Sequence, residues 1–180
     1  MKIIAISDTH IKFGSINDQL PGELLELLKN ADLILHAGDF VRKRAFDELS
    51  LLNRVEAVHG NMDDPELKNL LPERKVIETE GIKIGIIHQA ALSLQDTIGA
   101  RYMAKEMGAD VLVFGHIHRP LIEKSDVLIA CPGSPTAPRM SEPGALELVI
   151  EDGNISGKVL AFEGTRCTAL ESARFFGDRS

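Results

Sequence analysis

The sequence predicts an α/β fold built from two stacked, mostly mixed β-sheets flanked by helices. Three observations lead to it. The first 60 residues alternate strand and helix patterns. The later part is dominated by strands joined through short turns. Five apolar strands, drawn from both parts, end in side chains able to bind a metal ion.

Residues 3–6 are an apolar run rich in β-branched side chains and stopped by Ser7-Asp8, as a buried strand would be. Residues 20–30 carry Leu24, Leu25, Leu27 and Leu28 at helical spacing, and Pro21 is expected in the first helical turn. Residues 33–35 read as a second buried strand, 42–52 as a helix and 55–58 as a third strand. This β-α-β-α-β succession favours parallel strands with right-handed crossovers. Residues 75–79 and 82–87 face each other across Glu80-Gly81, a hairpin signal. A helix is expected over 96–107, then a buried strand at 111–114. The pairs 121–124 with 127–130 and 145–150 with 155–160 make antiparallel pairing the main theme here. Residues 132–143, with four prolines, form the longest loop. One domain is expected over 1–162, with 163–180 a weakly ordered tail.

Composition narrows the function. Hydrophobic residues at 44% and charged residues at 26% are ordinary for a soluble globular chain. A net charge of -7 gives no overall basic field for nucleic acid. Positive charge for a phosphate must then be local, and metal ions are the obvious means. The apolar run in MKIIAISD is too short for an export signal or a membrane span. Cys131 and Cys167 make no CxxC pair and are expected as reduced thiols, so the expected location is cytoplasmic.

The five strand ends read Asp8-Thr9-His10, Gly38-Asp39, Gly60-Asn61, His88, and Gly115-His116-Ile117-His118. Carboxylates, imidazoles and one amide oxygen suit Mn, Fe, Co, Ni or Zn. Asp-x-His and His-x-His, taken as extended segments, would turn both side chains of each pair to one cavity. The glycines before Asp39, Asn61 and His116 allow tight turns and close backbone approach. Any one of these residues alone reads as a cap, a turn residue or a core histidine; the ordered series argues for a metal site. His36 and His59 fall outside the series and are expected in supporting roles, and Cys131 as a small core residue.

The blocks DTH, GD, GN, IIH and GHIH, in that order, resemble the calcineurin-like metallophosphoesterase superfamily. The short length and the GNMDD segment look most like its small bacterial and archaeal phosphodiesterase branch. The resemblance implies a metallophosphoesterase-like α/β/β/α sandwich. It implies a dinuclear metal-dependent phosphodiesterase acting on a small-molecule phosphate ester. Asp8, His10 and His118 would hold one divalent ion, and Asn61, His88 and His116 the other. Asp39 would bridge both, and Asp39, Asn61 and His88 would be the catalytic set. Mn2+ is the expected metal, with Ni2+, Co2+, Fe2+ and Zn2+ also suited. In the family's chemistry a hydroxide between the ions attacks phosphorus in line.

The chain departs from the family at three places. Met62 stands where many relatives have a general-acid His, with Asp63 and Asp64 the nearby carboxylates. Relatives' HGH is here His88-Gln89-Ala90, and GDxxDR is replaced by a segment whose positive charges are Arg42 and Lys43. The alternative function is a metal-binding interaction scaffold on the same fold with little catalysis, as in a retromer subunit. Against it, all seven ligand positions hold competent donors. A homo-oligomer fits what is common among relatives; no membrane or nucleic-acid partner is expected.

Overall fold

The computed structural model describes residues 1–90 and 97–163. Two five-stranded mixed sheets pack face to face, with helices on their outer faces. The first sheet has the order β10-β9-β1-β2-β3. Its strands are β1 (Lys2–Ile6), β2 (Leu33–Ala37), β3 (Val55–Val58), β9 (Gly144–Glu151) and β10 (Asn154–Ala161). The second has the order β4-β5-β6-β8-β7. It contains β4 (Arg74–Thr79), β5 (Ile82–Ile87), β6 (Val111–Phe114), β7 (Pro120–Lys124) and β8 (Leu128–Pro132).

The period-two geometry of a strand explains why continuous apolar runs were needed. In β1, Ile3 and Ala5 enter the core between the sheets, while Ile4 and Ile6 face the helices. In β6, Val111 and Val113 point into the inter-sheet core and Leu112 and Phe114 point outward. On the first sheet's outer face lie α1 (Ile16–Gln19), α2 (Gly22–Lys29), α3 (Lys43–Leu52) and α4 (Pro65–Leu70), contributing Leu24, Leu28, Leu49 and Leu67. On the second, α5 (Ile98–Glu106) sets Ala100 and Ala104 against Leu112, Phe114 and Cys131. Small alanines let the helix approach the bulky strand face closely.

The expected parallel β1-β2-β3 unit is present. In the later part, three antiparallel pairs (β4–β5, β7–β8 and β9–β10) stand against two parallel ones, β5–β6 and β6–β8. The long connection through α5 returns the chain to the same sheet edge and makes β6 parallel to β5. Several details differ from the sequence reading. Pro21 is the N-cap of α2, and the leucine stripe starts to coil only at Gly22. Arg42 is likewise the N-cap of α3. Two short helices, α1 and α4, were not expected. The start of the expected helix at 96 lies outside the described residues, as do Cys167 and all of the expected tail 163–180 beyond its first residue. No helix among the described residues is long and apolar enough to cross a membrane.

This topology positions the site. Strands β1, β2 and β3 run parallel in one sheet, and β5 and β6 run parallel in the other. A buried hydrogen bond joins the two sets of strand ends: His88 Nδ1 donates to the Ala37 carbonyl at 2.8 Å.

Candidate metal centre

All seven predicted site residues lie just beyond these strand ends, and the fold brings them together. Asp8, His10 and His118 place one ligand atom each within 4.8 Å of one another, and so do Asp8, Asp39 and His88. Within the first group, His118 Nε2 is 3.3 Å and His10 Nε2 4.0 Å from Asp8 Oδ1, and the two imidazole nitrogens are 3.1 Å apart. Asp39 Oδ2 lies 3.7 Å from His10 Nε2 and 3.4 Å from His88 Nε2. Asn61 Oδ1 lies 3.0 Å from His88 Nε2 and 3.2 Å from His116 Nδ1. The remaining ring nitrogens of two histidines are tied to backbone carbonyls, His88 Nδ1 to Ala37 and His118 Nδ1 to Ala137 at 2.6 Å. Those bonds place the Nδ1 proton on the carbonyl side and turn each Nε2 toward the carboxylates, where it could ligate a cation once free of a proton.

The backbone that carries these side chains is not extended, contrary to the sequence reading. Asp8, His10, Asp39, His116 and His118 all have left-handed φ values, between 45° and 73°. L-residues adopt that region at a cost, and it clusters at functional sites. The alternating side chains converge because each segment coils locally, not because it forms a flat ribbon. Close approach by glycine is as expected. A Cβ at Gly115 would sit 2.8 Å from the Ala37 carbonyl oxygen and 2.9 Å from Asp8 Oδ2, so the histidine-bearing loop could not come this near with any other residue.

A family model for the calcineurin-like phosphoesterase superfamily domain matches residues 1–153. The chain belongs to the calcineurin-like phosphoesterase superfamily. It is 35% identical over 175 residues to a probable metallophosphoesterase of Methanothermobacter thermautotrophicus, covering 97% of this chain and 100% of that one. A phosphodiesterase of Methanocaldococcus jannaschii is 30% identical over 151 residues, covering 74% of this chain and 83% of its own. Among solved structures, Vps29 of Entamoeba histolytica complexed with Zn2+ superposes with a TM-score of 0.69. That match covers 91% of this chain and 100% of the other, and at 22% identity it shows the fold alone.

The superfamily uses divalent metals, and the donor set here fits them. Burial raises the Asp8 carboxyl to about 6, against the opposing charge of His88 and the His116 amide that hydrogen-bonds to it. Burial lowers His118 to about 4, with the Ala137 carbonyl opposing and the charges of Arg139 and His10 adding to the shift. Burial works against charge on both Asp39 and His88. Their mutual hydrogen bond and charges prevail, lowering the carboxyl and raising the imidazole. The lowered pKa values of His10, His116 and His118 favour the neutral imidazole, and such rings beside buried carboxylates are the donor chemistry a divalent cation takes.

For a member of this superfamily, several supporting residues carry no motif of their own. Asp63, weighed from the sequence as a proton donor, has another task. Its carboxylate accepts the backbone N–H groups of Asp39, Val41 and Gly60 at 3.1, 2.6 and 2.7 Å, binding the Asp39 loop to the Asn61 loop. Asp64 is the N-cap of α4, accepting the Leu67 amide at 2.9 Å. The expected supporting role of His36 is clear. Its Nδ1 accepts the Gly38 N–H, which leaves Nε2–H to donate to Thr9 Oγ1 at 3.1 Å, and its ring stacks on Phe40. Burial holds its pKa well below the usual value, keeping the ring neutral. Lys43 is drawn into an ion pair with Asp47 one helical turn away, so the positive charge expected from this segment is partly neutralised. The proline-rich loop, read only as a loop, braces the site. Ser134 Oγ donates to the Asp8 carbonyl at 2.7 Å and Thr136 Oγ1 to the Thr9 carbonyl at 2.5 Å.

Proposed function

We propose that this chain is a dinuclear metal-dependent phosphodiesterase. The observation that carries the reading is the convergence of two carboxylates, four imidazoles and one amide oxygen from the ends of both sheets. In this reading Asp8, His10 and His118 hold one divalent cation, Asn61, His88 and His116 the other, and Asp39 serves both. The sharing of Asp39 is supported by one of its oxygens lying near the Nε2 atoms of both His10 and His88. Mn2+ suits the mixed oxygen and nitrogen donors, as do Ni2+, Co2+, Fe2+ and Zn2+. Bound cations would supply Lewis acidity at the phosphoryl oxygens and acidify a water for attack at neutral pH.

The chain's own residues orient and sort the substrate. A cleft of about 340 Å³ opens beside Asn61 and His88, lined also by His59, Lys68, Glu73 and Gln89. Its walls are polar in several residues but largely apolar in exposed surface, and they have room for the leaving group of a small phosphate ester. Met62 is half exposed and cannot donate a proton, while its N–H is fixed on Asp39 Oδ1 at 2.7 Å. General acid help is typically worth about 10²–10⁴-fold. Without it at this position, the enzyme favours leaving groups that depart as stable anions.

The test is a turnover screen of Mn2+-loaded protein over phosphomonoesters, aryl and alkyl phosphodiesters and cyclic nucleotides. Aryl diesters should be cleaved far faster than alkyl diesters. Full metal loading with no turnover of any ester would replace this reading with the scaffold one. Equal rates for aryl and alkyl diesters under chemistry-limited conditions would point to an unrecognised acid.

A further inference from the structure

A phosphate ester that splits leaves negative charge on the departing oxygen, and the Met62 side chain has neither a proton nor a charge to meet it. The peptide joining Asn61 to Met62 is held at both ends. Its N–H donates to Asp39 Oδ1 at 2.7 Å, and its carbonyl accepts a hydrogen bond from Lys68 Nζ at 2.8 Å. In a planar trans peptide those two groups point to opposite sides. Asp39 thus grips the side turned to the candidate metal centre, and Lys68 the side turned to the cleft beside Asn61 and His88. Lys68 lines that cleft, and it is the one lysine or arginine among the described residues that does.

The fold delivers the lysine to this place. Asp64 caps α4 through the Leu67 amide, and Leu67 is fully buried. Past the helix, the His59 N–H donates to the Pro72 carbonyl at 3.0 Å, so the chain returns to the strand end from which it left. The last turn of α4 is therefore held against the Asn61 turn, and Lys68 reaches back across seven residues. Lys43 and Arg44 are paired with Asp47 and Glu48. The Lys68 ammonium bonds a neutral carbonyl instead, which occupies one of its three donors and leaves its charge uncancelled. Glu73 lines the same cleft but forms no ion pair with it among the described residues.

Resting on the phosphodiesterase reading, we propose that the Lys68 ammonium meets the negative charge on the departing oxygen of the ester, a task that Met62 leaves unfilled. In the step, the oxygen of a water joins phosphorus and the bond from phosphorus to the leaving group breaks. The electron pair of that bond stays on the departing oxygen, beside the two free N–H groups of Lys68. The proton lost by the water reaches that oxygen through solvent after departure. A fixed cation aimed at developing charge acts in the transition state more than on the bound ester. Its benefit therefore grows as the leaving group becomes a poorer anion.

The test compares wild type, Lys68→Met and Lys68→Arg. Three readouts are taken: calorimetric binding of Mn2+, melting temperature, and chemistry-limited turnover of Mn2+-loaded protein on nitrophenyl, phenyl and alkyl phosphodiesters. Lys68→Met should lose about 10–100-fold on the phenyl and alkyl esters and about threefold or less on the nitrophenyl ester. That is below the ~10²–10³-fold of a buried oxyanion donor, because Lys68 is exposed. The dependence of rate on leaving-group pKa should steepen, with Mn2+ binding and melting temperature unchanged. Lys68→Arg keeps the charge and should stay close to the wild-type dependence. An unchanged dependence in Lys68→Met overturns the proposal. So does an equal loss on every ester together with weaker Mn2+ binding, which is what a lysine that only straps the Asn61 turn would give. Wild type that binds Mn2+ and hydrolyses no ester overturns the phosphodiesterase reading, and this proposal with it; wild-type turnover with an unchanged dependence in Lys68→Met overturns this proposal alone.

Discussion

The two sides of the metal centre are held very differently. On the inner side, Asp8, Asp39, His88 and His118 are each no more than 5% exposed. Each is fixed by a backbone group: Asp8 by the His116 amide, Asp39 by the Met62 amide, His88 by the Ala37 carbonyl and His118 by the Ala137 carbonyl. On the outer side, Asn61 is exposed and His116 half buried, and the hydrogen bond between their side chains is at 3.2 Å. The inner side is a buried, pre-organised part of the candidate site, tied to backbone groups of both sheets' strand ends. The outer side keeps an edge open to solvent, where the proposed ester substrate would enter. Pre-organisation there would have to be weaker, because a fully enclosed second position would admit no substrate.

The largest effect should come from Asp39, the inner-side residue proposed to serve both cations, since one of its oxygens lies near both His10 and His88. Asp39→Ala should cost about a hundredfold or more in turnover at saturating Mn2+, beyond the ~10–100-fold typical for an outer hydrogen-bond partner. His10→Ala, which touches one side, should cost less. Near-wild-type turnover by Asp39→Ala would show that the two sides do not share it.

Next come two histidines that differ in support. His118→Ala should weaken Mn2+ binding by ~10–100-fold in a calorimetric titration, and His116→Ala by about tenfold or less. The ordering follows from the carbonyl that orients His118 and from the greater exposure of His116. A reversed ordering would mean that the outer side, not the inner, dominates cation affinity.

The smallest effect is set by Asp8. Its folded pKa of about 6 is raised above the ordinary aspartate value of 3.8. A carboxyl raised in this way contributes stability that is complete below the unfolded value and lost as pH rises through the folded one. Metal-free wild type should therefore gain stability relative to Asp8→Asn as pH falls from 7 to 5. Cation binding needs the carboxylate, so Mn2+ affinity should weaken by about tenfold per unit below pH 6. A pH-independent difference between the two proteins would remove the buried-carboxylate account of the inner side.

The same contrast explains what could be read from the sequence. Strands were legible because a core buried on both faces demands continuous apolar runs, as in residues 3–6 and 111–114. The seven donors were legible because each follows such a run. Pairing partners were not: nothing local in Gly144–Glu151 says that it will lie antiparallel to β1, since that depends on long-range register. The helix Pro65–Leu70 had a signal that was passed over, an Asp N-cap followed by Pro at the first turn. The bracing contacts of Asp63, Ser134 and Thr136 had none, because a carboxylate or hydroxyl that bonds a distant backbone group looks like any polar loop residue. The left-handed backbone at Asp8 and His116 was equally hidden, since only the closed fold imposes it.

The most direct test of the central claim is a titration of metal-stripped protein with Mn2+, following bound metal and hydrolysis of an aryl phosphodiester together. The dinuclear account predicts no turnover in the stripped protein, and activity that rises to a plateau only as the second ion per chain binds. Undiminished hydrolysis in the rigorously stripped protein, or a plateau reached at one ion per chain, would contradict it.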